Sequence, residues 1–220
     1  MITATLGDEV ERAFRVIRLL FGHMTKSGAQ HASVATRGAA TRAALLASAC
    51  ELIPEVGWGS VTTRGVAERA GVRPGLVHYH FDSVEALLVA ASTRAADGLV
   101  DDVRDALRHA PDIATGIDTL AAAVTAVADD PALLVLTEAS LASTRIPALR
   151  RTFASMLTDL RTLVATWLRD RGHRGDAAAT AAVITAALDG WALHRAADPA
   201  LDDAPFRDGL RTLIVAREGS

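Results

Sequence analysis

The sequence predicts an all-α protein. Apolar residues recur at spacings of three and four over most of the 220-residue chain, and no stretch alternates with the period of two that marks a strand. Half of the residues are apolar, few are aromatic and many are alanines, a balance that favours closely packed helices. We expect an N-terminal extension (1–36), a three-helix unit (37–82) and a helical body (83–220).

The N-terminal extension contains one amphipathic segment, Asp8 to Met24, with apolar side chains on one side and arginines on the other. The polar stretch from Thr25 to Gly38 predicts a flexible arm. Two interpretations stay open: an accessory helix that docks on the body or on a partner, or an upstream start codon with Met24 as the natural start. We expect no signal peptide, because Arg15 and Arg18 interrupt the apolar part.

Residues 41–56 predict the first helix of the three-helix unit. Its apolar side chains form a broad stripe at helical spacing, which can brace two shorter helices. Cys50 is the single cysteine of the chain, which excludes a disulfide framework and fits a reducing cytoplasm. We expect it to be a buried, unreactive thiol. The stripe consists of Leu45, Leu46, Ala49, Leu52, Ile53 and Val56.

Residues 62–81 predict two short helices joined by a tight turn. Thr62 is suited to cap the first helix, because its hydroxyl can accept a hydrogen bond from a backbone N–H of the first turn. That helix is expected to run to about Ala70, and Gly71 suits the left-handed conformation of the turn. Pro74 suits the first position of the second helix, where a backbone N–H would have no partner. Helices this short need the brace of a third.

The second short helix has an inner and an outer face. Val77 and Phe81 are four residues apart and are expected to point into the unit. The whole arrangement matches the helix-turn-helix layout, whose second helix lies in the major groove of DNA. The side chains expected on the outer surface are those of Arg73, Leu76, His78, Tyr79 and His80.

The body predicts six helices, separated by Pro, Gly and Asp positions. Ser83 can cap the first of them, and Pro111 ends it. No run approaches the roughly 18 consecutive apolar residues that a membrane span needs. The expected helices cover about residues 83–110, 113–129, 131–144, 147–172, 176–197 and 203–217.

The stretch from Thr41 to Leu88 resembles the N-terminal domain of the tetracycline-repressor (TetR) family of bacterial transcription regulators. This resemblance implies a cytoplasmic DNA-binding regulator, most often a repressor. Such a protein binds a palindromic operator as a homodimer, is released by a small ligand and needs no cofactor. The matching pieces are Thr41-Arg42, Ala67-Glu68-Arg69-Ala70-Gly71-Val72, Gly75, Tyr79-His80-Phe81 and Glu85-Ala86-Leu87-Leu88.

The resemblance also implies which residues meet DNA. Positions matching Arg73 to Leu76 approach base edges in relatives, while those matching Tyr79, His80 and Thr62 to Arg64 hold phosphates. Arg73 could pair with guanine O6 and N7, and Leu76 could contact a thymine methyl group. The full set of expected DNA contacts is Thr62, Thr63, Arg64, Arg73, Pro74, Gly75, Leu76, His78, Tyr79 and His80.

One position departs from the family pattern. Relatives often carry a Lys after the Phe81-x-Ser83 segment, where it reaches a phosphate, but this chain has Val84. The loss of that contact should flatten the salt dependence of binding by about one counterion. The arginine-bearing N-terminal arm could replace the missing charge.

The C-terminal part is similar to the ligand-binding and dimerisation body of the family. The run from Ala187 to His194 is typical of its penultimate helix, which in relatives forms a four-helix bundle with the last helix and the partner subunit. Some of the expected interface residues are ordinary core on the alternative interpretation. The expected dimer face is Val183, Ile184, Ala187, Trp191, His194, Phe206, Leu210, Leu213 and Ile214.

The ligand pocket is expected on the 147–172 helix, where apolar residues follow a spacing of three and four. Each of them could equally be simple core. As a group they favour a mostly apolar effector, because small-molecule sites are mainly apolar with few polar groups. The expected ligand residues are Phe153, Met156, Leu160 and Trp167, with the polar groups Thr137, Glu138 and Asp189.

The charge distribution agrees with a DNA-binding N-terminal end. The chain has a net charge of −3, but residues 37–81 carry five bases and three acids, and residues 82–220 carry fourteen bases and twenty acids. The acidic bulk is therefore expected to face away from DNA.

Other functions find little support in the sequence. His78, His80 and Asp82 spell H-x-H-x-D, but helical residues two apart point about 200° away from each other, so no metal site is expected. We find no motif of a hydrolase, metalloprotease or phosphate-binding loop, so an enzyme is not expected. A ligand- or partner-binding helical protein that has lost specific DNA binding stays open as the alternative. The sequence does not identify the effector, the operator or the target genes.

Overall fold

This computed structural model describes residues 34–126 and 131–215. Within these ranges the protein is built from helices. No strand occurs in these ranges, so the all-α prediction is confirmed. The elements are α1 (Val34–Val56), a 3₁₀ turn (Trp58–Ser60), α2 (Thr63–Arg69), α3 (Pro74–His80), α4 (Val84–His109), α5 (Ile113–Ala126), α6 (Pro131–Ser143), α7 (Pro147–Asp170), α8 (Ala177–Ala197) and α9 (Ala204–Val215).

Proline and capping residues place the ends of the body helices close to the expected positions. Asp176 caps α8, because its Oδ1 accepts hydrogen bonds from the backbone N–H groups of Ala178 and Ala179. Ser83 Oγ accepts from the backbone N–H of Ala86 at 3.0 Å and so caps α4. The amphipathic segment 8–24, the arm up to residue 33 and the expected helical residues 127–129 and 216–217 lie outside the described residues.

The prediction of a flexible arm is wrong for residues 34–38, because α1 begins at Val34. The stretch from residue 35 to 44 is rich in alanine, the best helix former, which outweighs the roughly 1 kcal/mol cost of Gly38. Thr41 Oγ1 also donates to the carbonyl of Arg37 at 3.0 Å, one turn earlier. The predicted boundary at residue 36 therefore falls within a helix.

The three-helix unit is built around the stripe on α1. Leu45, Ala49 and Ile53 are fully buried. The stripe ends sooner than expected, since Val56 in the last turn of α1 is 46% exposed. The residues buried from α2, α3 and the segment that follows are Val66, Ala67, Val77 and Phe81.

The described residues divide into two compact units. The first contains residues 34–100 and 131–159. Within it the start of α4 packs on the three-helix unit, with Leu87 and Ala91 fully buried, and α6 packs along α1. This grouping does not follow the expected division at residue 82, because parts of the body helices share a core with α1.

The second compact unit contains residues 101–126 and 160–215. Its core brings together α5, α8, α9, the end of α4 and the second part of α7. Arg171 at the end of α7 donates to the carbonyl of Ala110 at 2.8 Å, which fixes the segment between α4 and α5. The most deeply buried members of this core include Leu107, Ile117, Leu168, Ala181 and Ile184.

Cys50 has the character expected of an unreactive thiol. It is half-buried on α1, and its Sγ lies 3.7 Å from the carbonyl oxygen of Ala91. Burial raises the pKa of the Cys50 thiol to about 11. The thiol is therefore protonated at neutral pH, and a protonated thiol is a poor nucleophile.

Candidate nucleic-acid interface

The helix α3 presents one face to solvent and anchors the other. It begins after Arg73, whose backbone is extended (φ −72°, ψ 140°), and Pro74 occupies its first position. Val77 and Phe81 are 1% and 7% exposed and hold the helix to the unit. The exposed residues along this helix and at its start are Arg73, Pro74, Gly75, Leu76, His78 and Tyr79.

The turn between α2 and α3 has the expected geometry. Gly71 adopts a φ of +66°, the left-handed region that suits glycine. The backbone N–H of Val72 donates to the carbonyl of Ala67 at 2.9 Å and closes the end of α2. This turn and the Pro at the start of α3 together fix the angle at which α3 leaves α2.

Two polar aromatic rings lie at the end of α3. Tyr79 is 79% exposed, although Tyr side chains are on average partly buried. The ring of His80 lies edge-on to Tyr79, with centroids 5.0 Å apart and an interplanar angle of 84°. His80 is half-buried, next to Gly38 of α1. A hydroxyl and an imidazole are thus available at one end of the exposed face.

The start of α2 contributes further polar groups. The Oγ1 of Thr62 accepts a hydrogen bond from the backbone N–H of Gly65 at 3.1 Å, as expected for a helix cap. Because this bond uses only the oxygen, the hydroxyl hydrogen of Thr62 can still donate to a phosphate. Arg64 is exposed and Thr63 is half-buried.

The guanidinium of Arg69 forms ion pairs within the three-helix unit. Its guanidinium donates to both carboxylate oxygens of Glu55, at 2.9 and 2.6 Å, and to Glu51 at 3.2 Å. The hydrogen bond from Arg69 holds the pKa of Glu55 below its usual range. This pairing ties α2 to α1, and it explains why Arg69 does not belong with the expected phosphate contacts.

Arg42 is a basic residue of the interface that the sequence reasoning did not select. Its guanidinium carbon lies 5.0 Å from the centroid of the Phe81 ring, a cation–π geometry that holds an exposed cation beside the end of α3. The position that carries Lys in relatives is the half-buried Val84, which adds no charge. The Thr41-Arg42 pair was part of the family resemblance, and that was the signal that could have identified Arg42.

The expected dimer residues separate into two groups. Val183 and Leu213 are 52% and 65% exposed, and His194 is exposed as well. Ile184, Leu210 and Ile214 are at most 3% exposed, because they fill the core of their own chain. Their side chains have no free surface for a partner subunit, which the spacing of apolar residues could not distinguish.

Trp191 and Phe206 hold α8 and α9 together. Their rings are stacked, with centroids 4.6 Å apart, and Trp191 is 8% exposed. Trp191 Nε1 also donates to Thr125 Oγ1 at 3.2 Å. Ala187 is half-buried against the same core. The sequence reasoning missed Leu193, which is 54% exposed on α8.

The expected ligand residues occupy several environments. Phe153, Met156, Leu160 and Trp167 are all buried, with exposures of 6 to 9%. The hydroxyl of Thr137 donates to the carbonyl of Leu133 in its own helix, at 3.0 Å. The carboxylate of Glu138 accepts from the backbone N–H of Trp58 at 3.4 Å, a partner within the chain.

Asp189 stands apart from the other expected ligand residues. Its side chain is exposed on α8. Desolvation by the surrounding protein raises the pKa of its carboxyl, and the positive charge of Arg161 opposes that rise. Asp189 is thus an exposed residue whose carboxyl is nevertheless close enough to other protein groups to be partly desolvated, and its role in ligand binding stays a prediction.

A groove of about 580 Å³ lies within the first compact unit, between α1 and α4. None of the seven expected ligand residues lines it. Its walls mix small apolar side chains with two arginines and one aspartate: Ala39, Arg42, Ala43, Leu46, Ala90, Thr93, Arg94 and Asp97.

Two further negative findings apply within residues 34–126 and 131–215. No group of three or more His, Cys, Asp or Glu side chains is arranged to hold a metal ion. No helix in these ranges has both the length and the apolar character needed to cross a bilayer.

Family comparisons agree with this geometry. Residues 45–91 match the model of bacterial regulatory proteins of the tetR family. Residues 111–216 match the model of the tetracyclin repressor-like C-terminal domain. Together the two models cover the helix-turn-helix and most of the body. No match was found among curated proteins.

Solved structures share the fold. SCO7518 of Streptomyces coelicolor A3(2), described as a transcriptional regulator, is 27% identical with a TM-score of 0.66, over 79% of this chain and 98% of that one. A TetR-family regulator from Mesorhizobium loti MAFF303099 is 18% identical with a TM-score of 0.67, over 82% and 96% of the two chains, and shows the fold alone. The multidrug binding protein EbrR, complexed with imidazole, is 27% identical with a TM-score of 0.61, over 79% and 94%.

A helix-turn-helix with an exposed second helix, followed by a helical body, defines a DNA-binding transcription regulator. The chain belongs to the TetR family of bacterial regulatory proteins. Proteins of this family are transcription regulators rather than enzymes.

Proposed function

We propose that the protein is a repressor that binds a palindromic operator as a homodimer and is released by a small, mostly apolar ligand. One observation supports this most strongly: α3 buries Val77 and Phe81 and exposes the face from Arg73 to Tyr79. The fold does not require an Arg at the start of α3, or a Leu and a Tyr on its exposed face. Contact with a duplex accounts for all three.

The exposed residues take different roles on DNA. Arg73 pairs with a guanine through two hydrogen bonds, and Leu76 packs on a thymine methyl group. Tyr79 and His80 donate to phosphates, as do Thr62, Thr63 and Arg64 at the start of α2. Base contacts thus come from the start of α3, and phosphate contacts on either side fix its position.

Homodimerisation rests on the exposed apolar residues of α8 and α9. Val183, Leu193 and Leu213 are each more than half exposed, although the same helices supply core residues on their inner faces. A second copy of the chain covers these side chains in the proposal. Two α3 helices then reach successive major grooves if they stand about 34–36 Å apart.

Release by a ligand is the least defined part of the proposal. Its support is the set of buried apolar residues on α7 and the likeness to EbrR, a multidrug binding protein. An apolar ligand that prefers another spacing of the two α3 helices shifts the population away from the DNA-binding geometry. The ligand is therefore expected to be mostly apolar.

A gel-shift assay with DNA from upstream of the protein's own gene tests DNA binding. The folded protein should bind such a fragment at low salt, and Arg73→Ala should weaken the binding by about five- to 150-fold, since a bidentate contact contributes roughly 1–3 kcal/mol. Arg174→Ala is the matched control, because it removes one exposed positive charge outside the motif. Absence of binding by folded protein at low salt would refute the proposal.

The alternative is a ligand- or partner-binding protein that has lost specific DNA binding. Val84 in place of a phosphate-contacting Lys and the mild charge bias of residues 37–81, with five bases and three acids, favour it. Operator binding that survives both Arg73→Ala and Tyr79→Ala would show that α3 does not recognise DNA, whereas the absence of operator binding by the folded wild type would favour this alternative.

A further inference from the structure

The 3₁₀ turn Trp58–Ser60, hereafter the Trp58 turn, decides where α2 begins. Gly57 precedes it with a φ of +79°, and the backbone N–H of Gly57 donates to the carbonyl of Ile53 at the end of α1. The backbone N–H of Ser60 donates back to the carbonyl of Gly57 at 3.1 Å. Val61 is buried directly after the turn. A shift of this turn therefore moves the start of α2 with it.

The first N–H group of such a turn has no acceptor within the turn itself. Trp58 is half-buried, and an acceptor for its backbone N–H comes from elsewhere in the chain. That acceptor is Glu138 on α6, whose Oε2 lies 3.4 Å from Trp58 N. The two residues are 80 positions apart in the chain, and both belong to the first compact unit.

Other contacts strengthen this link. α6 packs along α1 and also touches the Trp58 turn, so Glu138 is carried by a helix that already lies against the three-helix unit. Trp58 falls within the matched regulatory model (45–91), and Glu138 falls within the matched C-terminal model (111–216). The bond thus joins the DNA-binding module of the family to its body module.

We propose that Glu138 is a positioning residue for DNA binding: its carboxylate holds the Trp58 turn and thereby sets the orientation of α2 and α3. This inference rests on the proposed function of α3. It assigns to Glu138 a role within the chain, in place of the ligand contact that the sequence suggested. A displacement of α6 that breaks this bond releases the Trp58 turn. A change in the position of α6 therefore reaches α2 and α3 through Glu138.

Two substitutions separate positioning from general packing. Glu138→Ala removes the acceptor, and Glu138→Gln keeps a carbonyl oxygen at the same place. Ser140→Ala is the matched control, because Ser140 is exposed on the same helix. For each variant, hydrogen exchange at the Trp58 amide, thermal unfolding and the Kd for an operator fragment are measured.

The Trp58 amide should exchange faster in Glu138→Ala than in the wild type and should stay protected in Glu138→Gln. The operator Kd should rise about fivefold in Glu138→Ala, because the 3.4 Å bond is long and acts on DNA only through the Trp58 turn, and stay within twofold in the other two variants. Unchanged exchange at Trp58 in Glu138→Ala overturns the proposal. So does faster exchange with an unchanged operator Kd, because the bond would then serve stability alone.

The failure of this inference can be told apart from the failure of the proposed function. If wild-type protein binds no operator, the DNA-binding proposal fails, and with it the claim that Glu138 positions a DNA-binding helix. If the wild type binds and Glu138→Ala binds equally well, the inference about Glu138 fails alone.

Discussion

Tyr79 is a central residue of the proposed DNA interface. It exposes 79% of its surface on a helix whose opposite face is buried, and its only ring neighbour among the described residues is His80. An exposed Tyr offers a hydroxyl donor on a rigid arm with few rotatable bonds. In the proposal, Tyr79, its ring neighbour His80 and Arg42, whose guanidinium lies over the Phe81 ring, supply the donors that a phosphate requires.

Tyr79→Phe tests that contact, because it removes the hydroxyl and keeps the ring. Loss of a hydrogen bond to a charged phosphate should raise the operator Kd about tenfold. Thermal unfolding should change little, since the hydroxyl of this exposed side chain has no described partner in the chain. Fluorescence anisotropy with a labelled operator measures the change, and a Kd within twofold of the wild type would exclude the contact.

The sequence was sufficient to predict the position of side chains whose role depends on residues nearby in the chain. The cap by Thr62, the positive φ of Gly71 and the burial of Val77 and Phe81 each depend on near neighbours in the chain, and each was expected. The partner of Glu138 could not be predicted, because Trp58 lies 80 residues away. Contacts at such separation depend on the packing of whole helices.

Gly116 of α5 faces the ring of Trp167 in the second compact unit. A Cβ atom at this position would lie 2.3 Å from the ring of Trp167 on α7, far inside van der Waals contact. Trp167 is 6% exposed in the same core, so its ring has little room to move. The absence of a side chain at Gly116 is what lets α5 approach this ring.

Gly116→Ala should therefore destabilise the protein by about 1–3 kcal/mol, the usual cost of overpacking a core. Gly98→Ala is the matched control on α4, where an added Cβ meets nothing within 4 Å. It should be neutral or stabilise by up to about 1 kcal/mol, since Ala favours the helix over Gly. Urea unfolding gives both values, and equal stability of the two variants would contradict this packing.

Helix ends and helix faces differ in how well the sequence predicts them. Pro, Gly and capping residues act locally, so the described ends of the body helices fall within a few residues of the expected ones. On α8 both faces are apolar, so spacing alone could not separate the buried Ile184 from the exposed Val183. The ligand pocket stays a prediction for the same reason, because core and cavity residues share one pattern.

In the proposed function, operator recognition depends on assembly of two chains into a dimer. In the proposal, Val183, Leu193 and Leu213 form one apolar surface that a second copy covers. A single chain could place one α3 in one major groove, and that short contact would give little sequence specificity. Pairing doubles the contact and fixes the distance between the two helices.

Leu213→Asp should convert the dimer to a monomer, because it places a charge in an interface that excludes water. Leu141→Asp is the matched control, since Leu141 is an exposed apolar residue (68%) outside the proposed surface. Sedimentation velocity should give a mass near twice the 23.0 kDa of one chain for the wild type and the control, and near 23.0 kDa for Leu213→Asp. A wild type that sediments as a monomer would disprove the interface.

The charge of the whole molecule bears on how it meets DNA. The net charge is −3, while residues 37–81 carry a net charge of +2. Long-range attraction is therefore weak, and orientation depends on the local cations at the start of α2 and around α3. Binding is expected to weaken with salt less steeply than in a relative that has Lys in place of Val84.

Selection of binding sites from random duplex DNA by the wild-type protein tests most directly whether paired α3 helices recognise an operator. The enriched sequences should contain an inverted repeat whose half-site centres lie about 10 base pairs, or a multiple of that distance, apart. Enrichment of no sequence, or of a single unrepeated site, would contradict recognition by two α3 helices held in one dimer.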